Sequence, residues 1–439
     1  MKKLLIAMTL ILAILLVAPK FIGGVLQQER EDVLVELNQI EGITLTTNEY
    51  KPRWFGADVI SKLTFTHKKT GLKNVSLVVE EELSFGPVIV TTDQGWHLGL
   101  GYSEVNFKFS SADIDEEVIT IINEKIQLGA LLNFSSDVIT FINIDEFSHQ
   151  HRDERIASAP ITAQFTFVND KHVIGDFSWE GFEYFNQSGE RTVMSNLAIV
   201  SDQQVVSGDY LQGTAIVTGE LSIKVGSFDM YDTPGEVYSL TDEGLTYATV
   251  AEHNFSLSDA GLTTVISLDN DLLSFTLKHH AKNINVLEQN LDNTNLEVEL
   301  ANVDLYALQE LKTALVNSSM PPVTNLLDIV DAQPTLKVSD LSLVTKEGKV
   351  VTELNVSFNR DLIDFNNFSS MALLTGLEAN AKGQAPLAYL AKIGAAAMVD
   401  NLVEQGYLTK QDNDIIFIAE YEENQLMLNG KVFHTIPVH

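Results

Sequence analysis

The sequence predicts an α+β protein dominated by long antiparallel β-strands that form a curled sheet, with a few helices in the C-terminal third and one N-terminal transmembrane helix. Three observations support this. Apolar and polar residues alternate in many segments beyond residue 50, helical spacing is confined to a few stretches, and residues 4–18 carry no charge. Alternation gives each strand one apolar and one polar face, and short polar turns between such strands favour antiparallel pairing.

The N-terminal segment has the character of a membrane anchor. Lys2 and Lys3 precede the uncharged run, and apolar residues continue to Leu26, about the 20 residues that a spanning helix needs. Pro19, at the end of the run, is unfavourable for signal-peptide cleavage, and a cleaved signal sequence remains the alternative. Basic residues before the run and acidic residues after it place the rest of the chain in the periplasm. We therefore expect a single-pass protein of the bacterial inner membrane.

Three regions follow from this pattern. Residues 1–26 form the anchor or signal sequence, residues 27–49 a juxtamembrane helix, and residues 50–439 a periplasmic β-rich body. Within the second region, Val33, Leu37 and Ile40 recur at helical spacing.

The body contains a series of alternating segments that predict strands. The clearest are Val75–Val79, Val105–Phe109, Ile161–Phe167, Leu221–Val225, Leu273–Leu277, Leu296–Leu300 and Val350–Phe358. Polar turns at residues 346–349 and 422–424 predict hairpins. We expect the second hairpin to return as a single strand over residues 425–432.

Two helices are expected late in the chain. Asp304 suits the N-cap of a helix that carries leucines at positions 305, 308, 311 and 315. Pro386 suits the first turn of a second helix, which we expect to run without interruption to a cap at Gly406.

Composition excludes several classes of function. The formal net charge is -32, and such a surface repels the phosphates of nucleic acids. The chain has no cysteine, which rules out disulfides, thiolate metal sites and cysteine nucleophiles. We expect no nucleic-acid partner.

No motif predicts a catalytic, cofactor-binding or metal-binding site. P-loop, serine nucleophile elbow and HExxH patterns are absent. His149, His151 and Asp153 have the alternate spacing of metal ligands on an extended segment, but the surrounding charges favour a solvated loop. The tryptophans are expected to anchor the core rather than to bind ligand, and they lie at positions 54, 96 and 179.

The apolar faces of the strands suggest a binding surface. If the sheet curls and the few helices leave part of it uncovered, an apolar groove results. The residues expected to line it are Phe107, Phe109, Phe165 and Phe167. The first hypothesis is a non-enzymatic envelope protein that binds a lipid or another apolar ligand there. The alternative is a structural protein that scaffolds an envelope assembly through its strand edges, and homo-oligomerisation is open in both cases.

Four elements spread along the chain resemble the YdgA-type family of inner-membrane-anchored bacterial proteins, a domain of unknown function. They are Tyr50–Phe55, Phe85–Pro87, Pro334–Val338 with the turn at residues 346–348, and the Tyr421–Lys431 ending. Phe85 stands where histidine is usual in the family. The resemblance implies membrane anchoring and supplies no reaction or catalytic residue.

Overall fold

The structure is a computed structural model of the chain. It describes residues 2–39, 43–65, 75–91, 95–110, 116–152, 154–169, 171–186, 189–209, 213–231, 236–241, 244–249, 254–286, 289–316, 323–363 and 372–436. The chain divides into two compact units, unit 1 over Met1–Phe182 and unit 2 over Glu183–His439.

Unit 1 is a long antiparallel meander with two described helices. The helices are α1 (Lys2–Leu37) and α2 (Glu116–Lys125). The strands are β1 (Ile43–Pro52), β2 (Gly56–Phe65), β3 (Val75–Phe85), β4 (Val88–Thr91), β5 (Gly95–Leu98), β6 (Gly101–Ser110), β7 (Ile126–Leu132), β8 (Val138–Ile144), β9 (Phe147–His151), β10 (Glu154–Ser158), β11 (Ile161–Val168) and β12 (His172–Phe185). Antiparallel pairing joins β1, β2, β3, β6, β7, β8, β11 and β12 in that order. Strands β4 and β5 pair as a hairpin, and so do β9 and β10.

The second half of α1 packs against one face of the unit 1 sheet. Pro19 is fully buried, and Ile22 and Leu26 pack against the buried cluster around Phe85. The helix can approach closely because residue 23 is glycine: a Cβ atom there would lie 2.4 Å from Cε2 of Phe85. This part of α1 is therefore built into the core of unit 1.

The opposite face of α1 is apolar and exposed. Val17, Phe21 and Val25, four residues apart, are 46%, 74% and 61% exposed. The predicted anchor falls largely on residues 1–14, whose side chains lie outside the described part of the chain. Among the residues that the structure does describe, no helix has both the length and the apolar character needed to cross a membrane.

Unit 2 has longer strands and carries most of the helices. Its strands are β13 (Arg191–Ser207), β14 (Ile216–Tyr231), β15 (Glu236–Thr241), β16 (Gly244–Thr249), β17 (Asn254–Asp269), β18 (Leu272–Val286), β19 (Gln289–Asp304), β20 (Thr335–Thr345), β21 (Gly348–Phe358), β22 (Leu377–Pro386), β23 (Thr409–Gln411), β24 (Asp414–Glu422), β25 (Gln425–Leu428) and β26 (Lys431–Thr435). Its helices are α3 (Leu305–Val316), α4 (Val323–Asp331), α5 (Ala372–Thr375), α6 (Leu387–Lys392) and α7 (Ala396–Glu404).

Antiparallel pairing also organises unit 2. It joins β13, β14, β17, β18, β19, β20, β21, β22, β24, β25 and β26 in that order, and β15 and β16 form a separate hairpin. A buried cluster of Ile216, Leu273, Val303 and Leu305 joins the start of α3 to three strands. Asp304 caps this helix, because its Oδ1 accepts a hydrogen bond from the Ala307 amide at 2.8 Å.

The broad fold class is confirmed: antiparallel strands dominate, and helices are few. Each alternating segment singled out in the sequence lies within a strand, and α3 starts at the predicted cap. Both predicted hairpins form, one through the pair Thr345 and Gly348, the other through Glu422 and Gln425.

Two predictions about the C-terminal region are wrong in detail. The expected continuous helix after Pro386 is two helices, α6 and α7, because Gly394 adopts a positive φ of 85° and ends the first. The expected single strand over residues 425–432 is divided into β25 and β26. Asn429 and Gly430 both have positive φ, which turns the chain.

Three further differences lie in unit 1. The first strand begins at Ile43, inside the range assigned to a juxtamembrane helix, where threonine-rich sequence favours extended backbone. Helix α2 was not predicted, although acidic residues occupy its first turn and Lys125 its last, which suits the helix dipole. The segment around His149 is the β9–β10 hairpin rather than a loop.

Candidate functional site

The sheet of unit 1 carries an open apolar groove beside α1. We call it the α1 groove and define it by Leu26, Leu83, Phe85, Ala130, Leu132 and Val138, which line it together with Arg30, Glu81 and residues of β6. Its volume is about 410 Å³. This lies within the range of small-molecule pockets, which are mostly apolar with a few polar groups.

Strand register explains why these residues meet. Phe85 pairs with Gly101, Gly101 with Leu132, and Leu132 with Val138, so a row of neighbours crosses four strands on one face. Side chains directly opposite on antiparallel strands point to the same face. Leu83 and Ala130 belong to the next row on that face, joined through Ser103.

Helix α1 forms one wall of the groove, and a glycine sets its distance from the sheet. A Cβ atom at Gly101 would lie 2.6 Å from Cδ1 of Leu26. The absence of a side chain there lets Leu26 approach the sheet. Since no described helix covers Ala130 and Val138, the groove opens away from α1.

One end of the groove is polar and organised by Arg30. Its Nε lies 3.2 Å from a carboxylate oxygen of Glu81, and its other nitrogens donate to Thr47 Oγ1 at 2.8 Å and Ser61 Oγ at 2.9 Å. Burial raises the pKa of nearby Tyr50, opposed by the Arg30 charge. The arginine therefore fixes the second half of α1 on the sheet and places an ion pair beside an apolar channel.

The four phenylalanines predicted from sequence all lie on the α1 face of the sheet. Phe167 pairs with Val138 in the row of Leu132, and Phe165 pairs with Thr140 in the adjacent row, which contains Ala130. Phe107 pairs with Val79 and Phe109 with Leu77, towards the far end of the same face. Phe165 and Phe167 thus continue from the groove wall, whereas Phe107 and Phe109 lie beyond its polar end.

The other candidates from sequence do not assemble into a chemical site. Nδ1 of His149 lies 3.7 Å from a Glu117 carboxylate oxygen, and Asp153 is outside the described residues. No group of three or more histidine, aspartate and glutamate residues that could hold a metal ion is found in the part of the chain that the structure describes.

An acidic pocket of about 470 Å³ in unit 2 has a structural explanation. It is lined mainly by residues of α3 and α4, including Glu310, Asp328 and Asp331, and by Asp304 at the end of β19. Asp304 caps α3, and Asp331 forms a 2.6 Å ion pair with Arg360. Asp304 and Asp331 therefore have structural roles, and we do not regard the pocket as a candidate site.

The tryptophan prediction is wrong for two of the three residues. Trp54 and Trp96 are 55% and 76% exposed. Trp179 is half-buried, and its Nε1 donates to Ser158 Oγ at 3.0 Å. Sequence reasoning also missed α1 as a wall of the groove, because the glycines at positions 23 and 101 reveal close packing only once their partners are known.

Comparisons with known proteins identify a family. No curated protein and no solved structure matches the chain. A family described as bacterial protein of unknown function, DUF945, matches over residues 1–435. Because the match covers nearly the whole sequence, the chain belongs to this family of bacterial proteins of unknown function.

Proposed function

We propose that this chain is a non-enzymatic cell-envelope protein that binds a lipid acyl chain or a similar apolar ligand in the α1 groove. The α1 groove carries the proposal: it is apolar, open along one side, and continuous with Phe165 and Phe167. Exposing such an apolar channel to water is unfavourable in free energy, and an apolar ligand bound there would remove that surface from water.

The polar end of the groove suggests how a ligand would be oriented. Arg30 and Glu81 lie at one end, and Leu132 and Val138 lie towards the other. An acyl chain would occupy the apolar part, and a polar headgroup would lie near the ion pair. Arginine is well suited to carboxylate and phosphate groups because of its planar set of donors.

The location in the envelope is part of the same proposal. The charge-free run in residues 4–18 follows Lys2 and Lys3, which favours an anchor with its N-terminus in the cytoplasm. The YdgA-type resemblance supports the same location in the inner membrane, with most of the chain in the periplasm. Curling of the sheet would help to keep the groove open.

A tryptophan that fills the groove tests the proposal. The full chain would be extracted from membranes in mild detergent and examined by native mass spectrometry for co-purifying lipid. We expect bound lipid in the parent and its loss in Ala130→Trp, because the new ring occupies the channel. Gln127→Trp is the matched control, since Gln127 lies on the same strand but is exposed on the opposite face. Absence of lipid from the parent, or equal lipid in both variants, would contradict the proposal.

The scaffold function remains the alternative because of β26. All five of its residues are exposed, including Val432 and Phe433 at 50% and 46%. An exposed strand can pair with a strand of another chain. If the parent carries no lipid but purifies with a stoichiometric partner that Val432→Lys releases, the scaffold function is favoured.

A further inference from the structure

The β4–β5 hairpin is held firmly against the sheet of unit 1. Ile89 on its inner face is 2% exposed and packs with Tyr102 and Leu131. The ring of His97 stacks on Tyr102 with centroids 5.4 Å apart and planes 5° apart. The hairpin lies on the face opposite α1, because Tyr102 alternates with Gly101, which faces the helix.

The outer face of the two described strands of this hairpin is apolar. Val88 pairs with Leu98 and Val90 with Trp96, and these four side chains are 37%, 67%, 60% and 76% exposed. No Asp, Glu, Lys or Arg occurs in residues 86–91 or 95–100, and Asp93 is the single charged residue of the sequence that connects them, although the chain has a formal net charge of -32. A contiguous apolar surface of this kind marks an interaction site.

The β4–β5 hairpin follows the end of the sheet that lies beside Leu16 of α1. The Phe85 amide donates to the Phe55 carbonyl at 2.7 Å, and Trp54 Nε1 donates to the Leu16 carbonyl at 2.7 Å. The hairpin begins two residues after Gly86, whose amide donates to the Leu100 carbonyl at 2.8 Å. Trp54, Phe55 and the hairpin base therefore lie where the N-terminal part of α1 leaves the sheet.

The reach of α1 brings this end of unit 1 close to the bilayer. From Pro19 onward one side of the helix is packed on the sheet, while Phe21 and Val25 on its other side stay exposed, so a membrane-spanning segment would come from the residues before Pro19. A helix from Leu4 to Ala18 rises about 22 Å at about 1.5 Å per residue, less than the roughly 30 Å of a hydrocarbon core. An anchor this short places the end of the sheet in the interfacial layer of the bilayer, where the lipid headgroups lie.

We propose that the outer face of the β4–β5 hairpin, together with Trp54, inserts into the interfacial layer of the lipid bilayer in which α1 is anchored. The proposal rests on the membrane anchoring given under the proposed function. Tryptophan favours the boundary between headgroups and acyl chains, and the two strands, which carry no Asp, Glu, Lys or Arg, reduce the repulsion between an acidic protein and anionic headgroups. These features favour lipid, rather than a second copy of the chain, as the partner that covers this surface.

Tryptophan quenching by brominated phosphatidylcholine tests the proposal on the full chain in vesicles. In Trp54→Phe/Trp179→Phe the only tryptophan is Trp96, and in the control Trp54→Phe/Trp96→Phe it is Trp179. We expect severalfold stronger quenching of Trp96 than of Trp179, whose indole is tied to Ser158 within the sheet. Leu98→Asp, added to the Trp96 variant, should reduce the quenching without lowering the melting temperature, because Leu98 is largely exposed.

The outcomes separate this proposal from the anchoring on which it rests. A chain that leaves the vesicles in an alkaline wash overturns both. A chain that stays with the vesicles while Trp96 is quenched no more than Trp179 overturns insertion alone. If the Trp96 emission shifts with protein concentration and not with lipid, a second copy covers the face and the proposal is wrong.

Discussion

Truncation of two phenylalanines on the same face of unit 1 distinguishes a packed core from an open groove. Phe85 lines the α1 groove but is packed beneath α1 and only 6% exposed, whereas Phe167, which pairs with Val138 at the groove wall, is 39% exposed. Phe→Ala in a closed core costs about 3–5 kcal/mol, from lost transfer free energy and the cavity that remains. We expect that cost for Phe85→Ala. For Phe167→Ala we expect about 1–2 kcal/mol, because part of the ring already meets water and no closed cavity forms.

Thermal unfolding of the full chain measures the difference. For a unit of this size, about 1 kcal/mol lowers the melting temperature by roughly 2–4 °C. Phe85→Ala should therefore lower the transition of unit 1 by about 6–20 °C, and Phe167→Ala by about 2–8 °C. Phe167→Ala should also weaken lipid co-purification. Equal destabilisation by the two variants, with no effect on lipid, would show that this face is a closed core.

Two further predictions concern unit 2. Burial lowers the pKa of His279 below its usual value, and the like charge of His280 lowers it further. As the pH falls, His279 is therefore protonated in the unfolded chain at a higher pH than in the folded one. The free energy of unfolding should decrease as the pH drops through about 6.5. His279→Gln should flatten the pH dependence of the melting temperature there, and an unchanged slope would contradict the assignment. Asp304→Ala should cost about 1 kcal/mol through loss of the α3 cap, with Asp304→Asn retaining most stability in denaturant titrations. An equal loss of stability in Asp304→Ala and Asp304→Asn would contradict the capping role of Asp304.

Local periodicity predicted the strands well because it reports which face of each strand is buried. Ile161–Phe167 alternates cleanly and forms β11, and Asp304 caps α3 as expected. The points at which a helix or strand is interrupted were harder to predict. Gly394 ends α6 in a left-handed conformation, yet the same residue is tolerated within a helix at modest cost, so composition alone did not decide between one helix and two.

The candidate site could be predicted only in part, because it depends on contacts between distant segments. The shared face of Phe165 and Phe167 follows from their spacing in one strand, whereas the groove requires α1 to lie on strands far along the chain. Gly86 shows the same limit. A Cβ atom there would lie 1.6 Å from the Gly99 carbonyl oxygen, a close approach that the sequence motif does not reveal.

The exposed tryptophans were misjudged for a related reason. Trp96 sits in an apolar segment, and such segments usually enter a core. In the structure the inner face of the small hairpin, which bears Ile89 and His97, is covered by the sheet, whereas its apolar outer face, which bears Trp96, is not. Periodicity identifies strand faces but does not show which of two faces packs against the rest of the protein.

Photolabelling with a lipid that carries a diazirine at the end of its acyl chain tests the central claim most directly. The lipid would be incorporated into native membranes, activated by light, and mapped by peptide mass spectrometry on the full chain. We predict labels on the groove residues of β7 and β8, among them Leu132 and Val138, and their loss in Ala130→Trp but not in Gln127→Trp. Labels confined to the N-terminal helix and the β4–β5 hairpin, with none in the groove, would contradict the account.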